Sequence, residues 1–165
     1  DAHQYLLDHY KEFEFIWSSP PCPTHSKARF ARRDTTEAKY PDFKLYEEIV
    51  FLNKWFKGKY VVENVTPYYT PLISAKKRGR HLYWTNFNLP NDIVDRTAGL
   101  IEGANEVQKL CKFHKIDISS YKGKQRIDKI ARNLVDYEVG KTIFDTARGI
   151  INKKDTKQTS IFDEL

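Results

Sequence analysis

Cysteine occurs twice in this chain, and Cys22 stands directly after a Pro20-Pro21 corner in the stretch FIWSSPPCPTHSKAR. A buried structural thiol has no need of that setting, whereas a thiol held out to a substrate does. Two further short signals follow in order: Glu63-Asn64-Val65 closing the run KYVVENV, and Arg78-Gly79-Arg80 inside KKRGRHLYW. A thiol, a carboxyl group beside an amide, and paired guanidiniums are parts that nucleophilic and acid–base catalysis use. Each also has a bland counterpart: a packed thiol, a surface carboxylate, a solvated basic turn. His25, in CPTH, admits a Cys–His nucleophilic pair or half a metal site. With no second ligand pair in the sequence, no metal is expected. Cys111, within a predicted helix, reads as packed.

The elements around these residues follow from pattern. AHQYLLDHYK has helical spacing, and FEFIW follows as a short strand. Pro20, Pro21 and Pro23 forbid helix and ladder, so residues 18–26 form a loop at a strand end. HSKARFARRDTTEAKYPD is polar and basic, and reads as a mobile segment. Leu45, Ile49, Leu52 and Phe56 make a helical stripe with Asp42 as the N-cap. KYVVENV reads as a buried strand, TPYYTPLISAKKRGR as a turn-rich connection and HLYWTNF as a third strand. Strand, polar loop, helix, strand is the order of a crossover unit in a parallel sheet. One helix is expected around residues 106–113, and two more meet near DYE in RIDKIARNLVDYEVGKTIFDTARGIINKK.

A chain of 165 residues carrying 40% hydrophobic and 14% aromatic residues builds one domain, or one with a small appendage. No apolar run approaches the roughly 18 residues a membrane span needs, and no signal peptide is present. The two cysteines make neither a disulfide framework nor a zinc signature, which predicts a reducing, intracellular setting. A net charge of +6 fits a partner with phosphates. The chain contains no methionine and begins at Asp1, so it reads as the later part of a longer chain or a trimmed product.

Taken together, PPC, ENV and RGR in this order, the first two at strand ends, resemble the DNA (cytosine-5) methyltransferases of phage and bacteria. That family has a Pro-Cys loop, then Glu-Asn-Val, then Arg-x-Arg on successive strands. The likeness runs to both ends: Asp1 matches an acidic residue that contacts the adenine of the methyl donor, and Arg132 to Val135 (RNLV) sits where the family has Gly-Asn-Ser-Val. PLISAKKRGRHLYWTNF carries the strongest likeness. The resemblance implies an α/β fold, the C-terminal portion of a Rossmann-like, doubly wound methyltransferase. Its catalytic part is 1–87, with a small target-recognition region at 88–125, returning helices at 126–153 and a flexible tail at 154–165.

The implied activity is methyl transfer from S-adenosylmethionine to carbon 5 of a flipped-out cytosine in double-stranded DNA, through a Cys22 adduct. Cys22 adds to carbon 6, its thiolate favoured by an arginine of RGR. Glu63, kept partly protonated by burial, serves ring nitrogen 3. Asn64 braces the loop or binds the exocyclic amine. Arg80 binds the ring carbonyl and orients Glu63, and Arg78 holds Cys22 or a phosphate. Asp1, Pro20 and Asn133 are implied at the methyl donor. Ser26, Lys76, Lys122 and Lys124 are implied at DNA, with Lys109, Lys112, Lys115 and Arg126 as further phosphate contacts. The setting implied is the cytoplasm of a bacterial or phage-infected cell.

The chain departs from the family pattern in places. Pro23 follows the nucleophile where Gln is usual, Lys76 stands where Gln starts the arginine motif, and RNLV lacks the Gly and Ser. The donor-binding loop and the acidic residue after the second strand are not found. Without a neighbour, FEFIW would leave an apolar sheet edge open, so a further N-terminal segment or a second polypeptide is expected to pair there. The 38-residue recognition region predicts a short or lax target site. In the tail, Gln158, Ile161 and Phe162 resemble the peptide by which bacterial DNA enzymes dock on the replication sliding clamp.

Two rival readings stand beside this one. Amino-methyltransferases use a Ser/Asp-Pro-Pro-aromatic loop close to SPPC and need no cysteine. A non-catalytic or partner-requiring DNA-binding subunit would complete another chain.

Overall fold

The computed structural model describes residues 1–150 except 95, 98 and 102. The elements are α1 (Ala2–His9), a 3-10 turn (Tyr10–Glu12), β1 (Phe15–Ser18), α2 (Lys27–Ala31) and α3 (Lys44–Trp55). They continue with β2 (Lys59–Val65), β3 (Lys76–Arg78), β4 (His81–Thr85), α4 (Glu106–His114), α5 (Ile127–Arg132) and α6 (Tyr137–Ala147). The protein is mixed α/β.

The four-stranded sheet has the order β1-β2-β4-β3. The expected crossover is present: β1 runs parallel to β2, with Ser18 opposite Val62. The rest of the sheet turns antiparallel, β4 against both β2 and β3. β1 is therefore an edge strand among the described residues.

Helices cover both faces. On one, the predicted stripe of α3 (Leu45, Ile49, Leu52, Phe56) packs with Ile16, Tyr60, Val62, Leu82 and Trp84. Leu52 and Val62 are fully buried, and burying each such side chain stabilises the fold by about 1.5–3 kcal/mol. On the other, Ile143 of α6 packs with Val61, Tyr83, Leu89 and Ile93. The near-continuous apolar run YVV of β2 reflects this two-sided burial. Leu89 and Ile93, within the expected recognition region, belong to this second cluster.

Local chemistry corrects several expectations. Asp42 is not the N-cap of α3. Phe43 holds that position, and the Asp42 carboxylate accepts from the Lys44 amide one residue further on. The basic segment contains α2, because Ser26 Oγ accepts from the Arg29 amide and caps it. The turn-rich connection ends in a hairpin strand, β3. Its two-residue turn, Gly79-Arg80, puts Gly79 at φ 55°, a backbone conformation that glycine adopts without strain. The two C-terminal helices meet as expected at DYE, where the Asp136 side chain accepts from the Glu138 amide and caps α6.

Candidate active site

Side-chain alternation along β2 sends Glu63 and Asn64 to opposite faces of the sheet. Asn64, buried, turns towards the Pro-Pro corner: its Nδ2 donates to the Pro20 carbonyl at 3.0 Å, and its Oδ1 accepts from the Val65 amide. The corner then closes on Cys22, whose carbonyl accepts from the amides of His25 and Ser26 at 3.0 and 3.2 Å. The chain is tied back to the exit of β2 where the Tyr68 amide donates to the His25 carbonyl. Asn64 thus braces the loop, one of the two roles anticipated for it.

Glu63 lies on the other face, 13% exposed. Its Oε2 accepts from Ser19 Oγ at 3.1 Å, and its Oε1 is 3.5 Å from His81 Nε2. The β2–β4 register places Val65 opposite His81 and Glu63 opposite Tyr83, so Glu63 and His81 are diagonal neighbours on one face.

A cavity of about 590 Å³ opens between these strand ends and the C-terminal helices. Cys22, Glu63, Asn64, Arg78 and Arg80 all line it, together with Pro20 and Asn133. Its size is within the ~300–1,000 Å³ typical of small-molecule sites. The opposite wall comes from residues 132–136. Arg132 Nη2 donates to Glu106 at 2.8 Å, and Arg96 Nε donates to Asp136 at 2.7 Å. Those hydrogen bonds from arginine hold both the Glu106 and the Asp136 carboxyl below the usual range. The two pairs fasten residues 96 and 106 to the C-terminal helices.

The electrostatics around Cys22 run against the expectation of a ready thiolate. Burial pushes the thiol up. Its own backbone hydrogen bond pulls it down, the Glu63 charge raises it and the Arg80 charge lowers it, and the net direction is upward. Arg80 acts in the anticipated sense, but desolvation is the larger effect.

Several of the remaining residues are engaged elsewhere. Arg78 lines the cavity, yet its guanidinium donates to the carbonyls of Pro90 and Leu89 and to Asn91 Oδ1, at 2.7, 3.3 and 2.9 Å. It holds the segment after β4 in place rather than Cys22. Lys76, expected on DNA, donates to Thr85 Oγ1 and the Phe87 carbonyl, and burial lowers its pKa. Ser26 is engaged as a helix cap. Asp1 caps α1 through the His3 amide, stands 3.5 Å from Lys44, and is not among the cavity residues. Lys122 and Lys124 are exposed and also lie outside the cavity lining. Gln158, Ile161 and Phe162 lie outside the described residues.

His25 is engaged away from the thiol. It is 1% exposed, with Nδ1 2.6 Å from the Tyr69 hydroxyl and Nε2 2.9 Å from the Asp42 carbonyl. Among the described residues, no group of three or more His, Cys, Asp or Glu could hold a metal ion, and no helix is long and apolar enough to cross a membrane. Sequence reasoning missed Ser19, His81, Arg132 and Asp136. Strand alternation puts His81 on the face of Tyr83, but only the β2–β4 register brings it beside Glu63. The Arg–carboxylate pairs join residues 26 and 40 positions apart and leave no local signal. Compared with protein-family models, curated proteins and solved structures, the chain matches none, so the reading of the site rests on its own geometry.

Proposed function

We propose that this chain carries the base-side chemistry of a DNA (cytosine-5) methyltransferase. The observation that supports it is the convergence of Cys22, Glu63, Asn64 and Arg80 on one cavity from three separate stretches of sequence. Cytosine carbon 5 is a poor nucleophile until a group adds at carbon 6. Cys22 loses its proton to water and its Sγ bonds to carbon 6. The carbon 5–carbon 6 π pair moves to carbons 4 and 5, and the carbon 4–nitrogen 3 pair moves to nitrogen 3, which takes a proton from Glu63. Reversal returns that proton to Glu63 and releases the thiolate. Burial favours the neutral Cys22 thiol in the free protein, so the thiolate forms against that cost before it attacks. The reacting base must leave the stack to reach the cavity, and the net charge of +6 favours a polyanion.

The residues implied at the methyl donor do not assemble among the described residues. Pro20 and Asn133 line the cavity, and Asp1 is engaged as the cap of α1. No step through S-adenosylmethionine is assigned to this chain. This, with β1 an edge strand among the described residues, favours the partner-requiring version of the reading, in which a further segment or second polypeptide completes the donor site.

The test is release of tritium from carbon 5 of cytosine in DNA, which needs no donor: the adduct takes a proton from water at carbon 5, loses the tritium and expels the thiolate. Release by the native chain that Cys22→Ala abolishes supports the reading. Equal release by both, or none by either, removes it.

A further inference from the structure

Both oxygens of Glu63 face groups that the family resemblance does not supply. On one side a short chain of hydrogen bonds fixes Oε2. Trp17 Nε1 donates to Ser19 Oγ at 3.1 Å, and Ser19 Oγ donates to Oε2 at 3.1 Å. An indole N–H is a donor only, so it occupies a lone pair of the hydroxyl and leaves the serine proton for the carboxyl group. On the other side, His81 Nε2 approaches Oε1 to 3.5 Å, in ion-pair range and just beyond an ordinary hydrogen bond. The imidazole is 22% exposed and the carboxyl group 13%, so water screens the contact only in part. The register of β2 against β4 sets the approach, and both side chains line the cavity.

We infer that His81 is a positioning residue for Glu63: with Ser19 at Oε2 and His81 at Oε1, the carboxyl plane is fixed towards the bound base, and a His81 N–H stabilises the carboxylate left when its proton passes to the ring. The inference rests on the proposed role of Glu63 as proton donor. Its physical basis is a difference between two states. The form that gives up the proton is the neutral carboxyl group. During transfer it gains negative charge, and a hydrogen bond to an ionised acceptor is shorter and stronger than one to a neutral acceptor. A donor aimed at developing charge strengthens its interaction in the transition state, which raises the rate of the step without tightening DNA binding. What the position needs is therefore a donor of the right reach, not an imidazole as such.

The experiment is tritium release from carbon 5 of cytosine, measured on the whole chain across a range of DNA concentrations. His81→Phe keeps a ring and removes the donor; His81→Gln keeps a donor that reaches Oε1. Loss of a hydrogen bond to a charged group predicts a fall of about 10- to 100-fold in the maximal rate for His81→Phe. The half-saturating DNA concentration stays unchanged, and His81→Gln recovers most of the rate. Equal rates for all three proteins, an equal loss in both variants, or a loss confined to DNA affinity overturns the inference. Should His81→Phe lack a cooperative thermal transition, His81→Asn, whose amide is too short to reach Oε1, takes its place with the same expected loss. The Cys22→Ala control separates the two levels. Cys22-dependent release that is indifferent to His81 sinks only this inference, while release independent of Cys22, or none by the native chain, sinks the reading beneath it as well.

Discussion

The side-chain amide of Asn64 donates to the carbonyl of Pro20 at 3.0 Å, so the strand that presents Glu63 also holds the corner that presents Cys22. Spacing between the two functional groups is thereby set by a buried contact rather than by a loop finding its own place.

Asn64→Ala leaves the Pro20 carbonyl and the Val65 amide without their partner. The expected cost is about 1–3 kcal/mol of stability, together with a looser corner. Urea unfolding reads the first effect. The second appears as faster alkylation of Cys22 at fixed pH, and an unchanged rate would show that the corner holds without Asn64.

Burial pushes the Cys22 thiol up, so in the free protein it stays protonated past the pH at which an ordinary thiol ionises. Iodoacetamide modification of Cys22 should therefore rise with pH later than that of a model thiol. Arg80→Gln removes a charge that pulls the other way and should delay it further. Mass spectrometry of the Cys22 peptide across pH checks both. The sign for stability follows: the fold favours the neutral thiol, so the contribution is full below the unfolded thiol's range and is lost as pH rises through the folded one.

Asp136 caps α6 and accepts from Arg96, chiefly through that hydrogen bond falling below the usual carboxylate range. A depressed carboxyl group stabilises above its unfolded value and loses that contribution as pH falls through its folded value. Asp136→Asn keeps a capping side chain and removes the charge. With Arg96 40% exposed, an expected loss of about 1 kcal/mol at neutral pH, vanishing in strong acid, allows for screening by water. Thermal unfolding of both proteins at two pH values measures it.

Arg78 and Arg80, two residues apart, should separate by phenotype. Arg78→Ala removes the bonds to Leu89, Pro90 and Asn91. It should lower stability by about 1–3 kcal/mol and loosen the 89–91 segment, seen as faster amide hydrogen exchange there. Arg80→Gln should slow tritium release from cytosine while leaving that segment's exchange unchanged.

His25→Phe fills a similar volume but removes both ring nitrogens of a buried side chain, so the Asp42 carbonyl loses that partner and the Tyr69 hydroxyl keeps only its contact with Tyr46 among these. A loss of about 1–3 kcal/mol is expected, and calorimetry would register it. Retained stability would mean that water or another side chain takes over.

The sequence by itself determined the elements whose signal is local. The α3 stripe at helical spacing, the β2 run YVV and the proline-enforced corner before Cys22 each needed only neighbouring residues to be read, because burial pattern and backbone restriction are encoded within a few positions. It also put the thiol, the carboxyl group and the arginines in order. Tertiary structure alone decided which of them share a cavity and what each one faces. Arg78 and Lys76 read as cations available for phosphates, yet the hairpin turned at Gly79 aims them at backbone carbonyls. Asp1 read as a ligand contact and became a helix cap. His81 gained its place beside Glu63 only through the register of β2 against β4, and Arg132 and Asp136 reached the cavity only when α5 and α6 folded back. These outcomes depend on pairing between distant segments, and on desolvation that exists only once the chain has closed around Cys22.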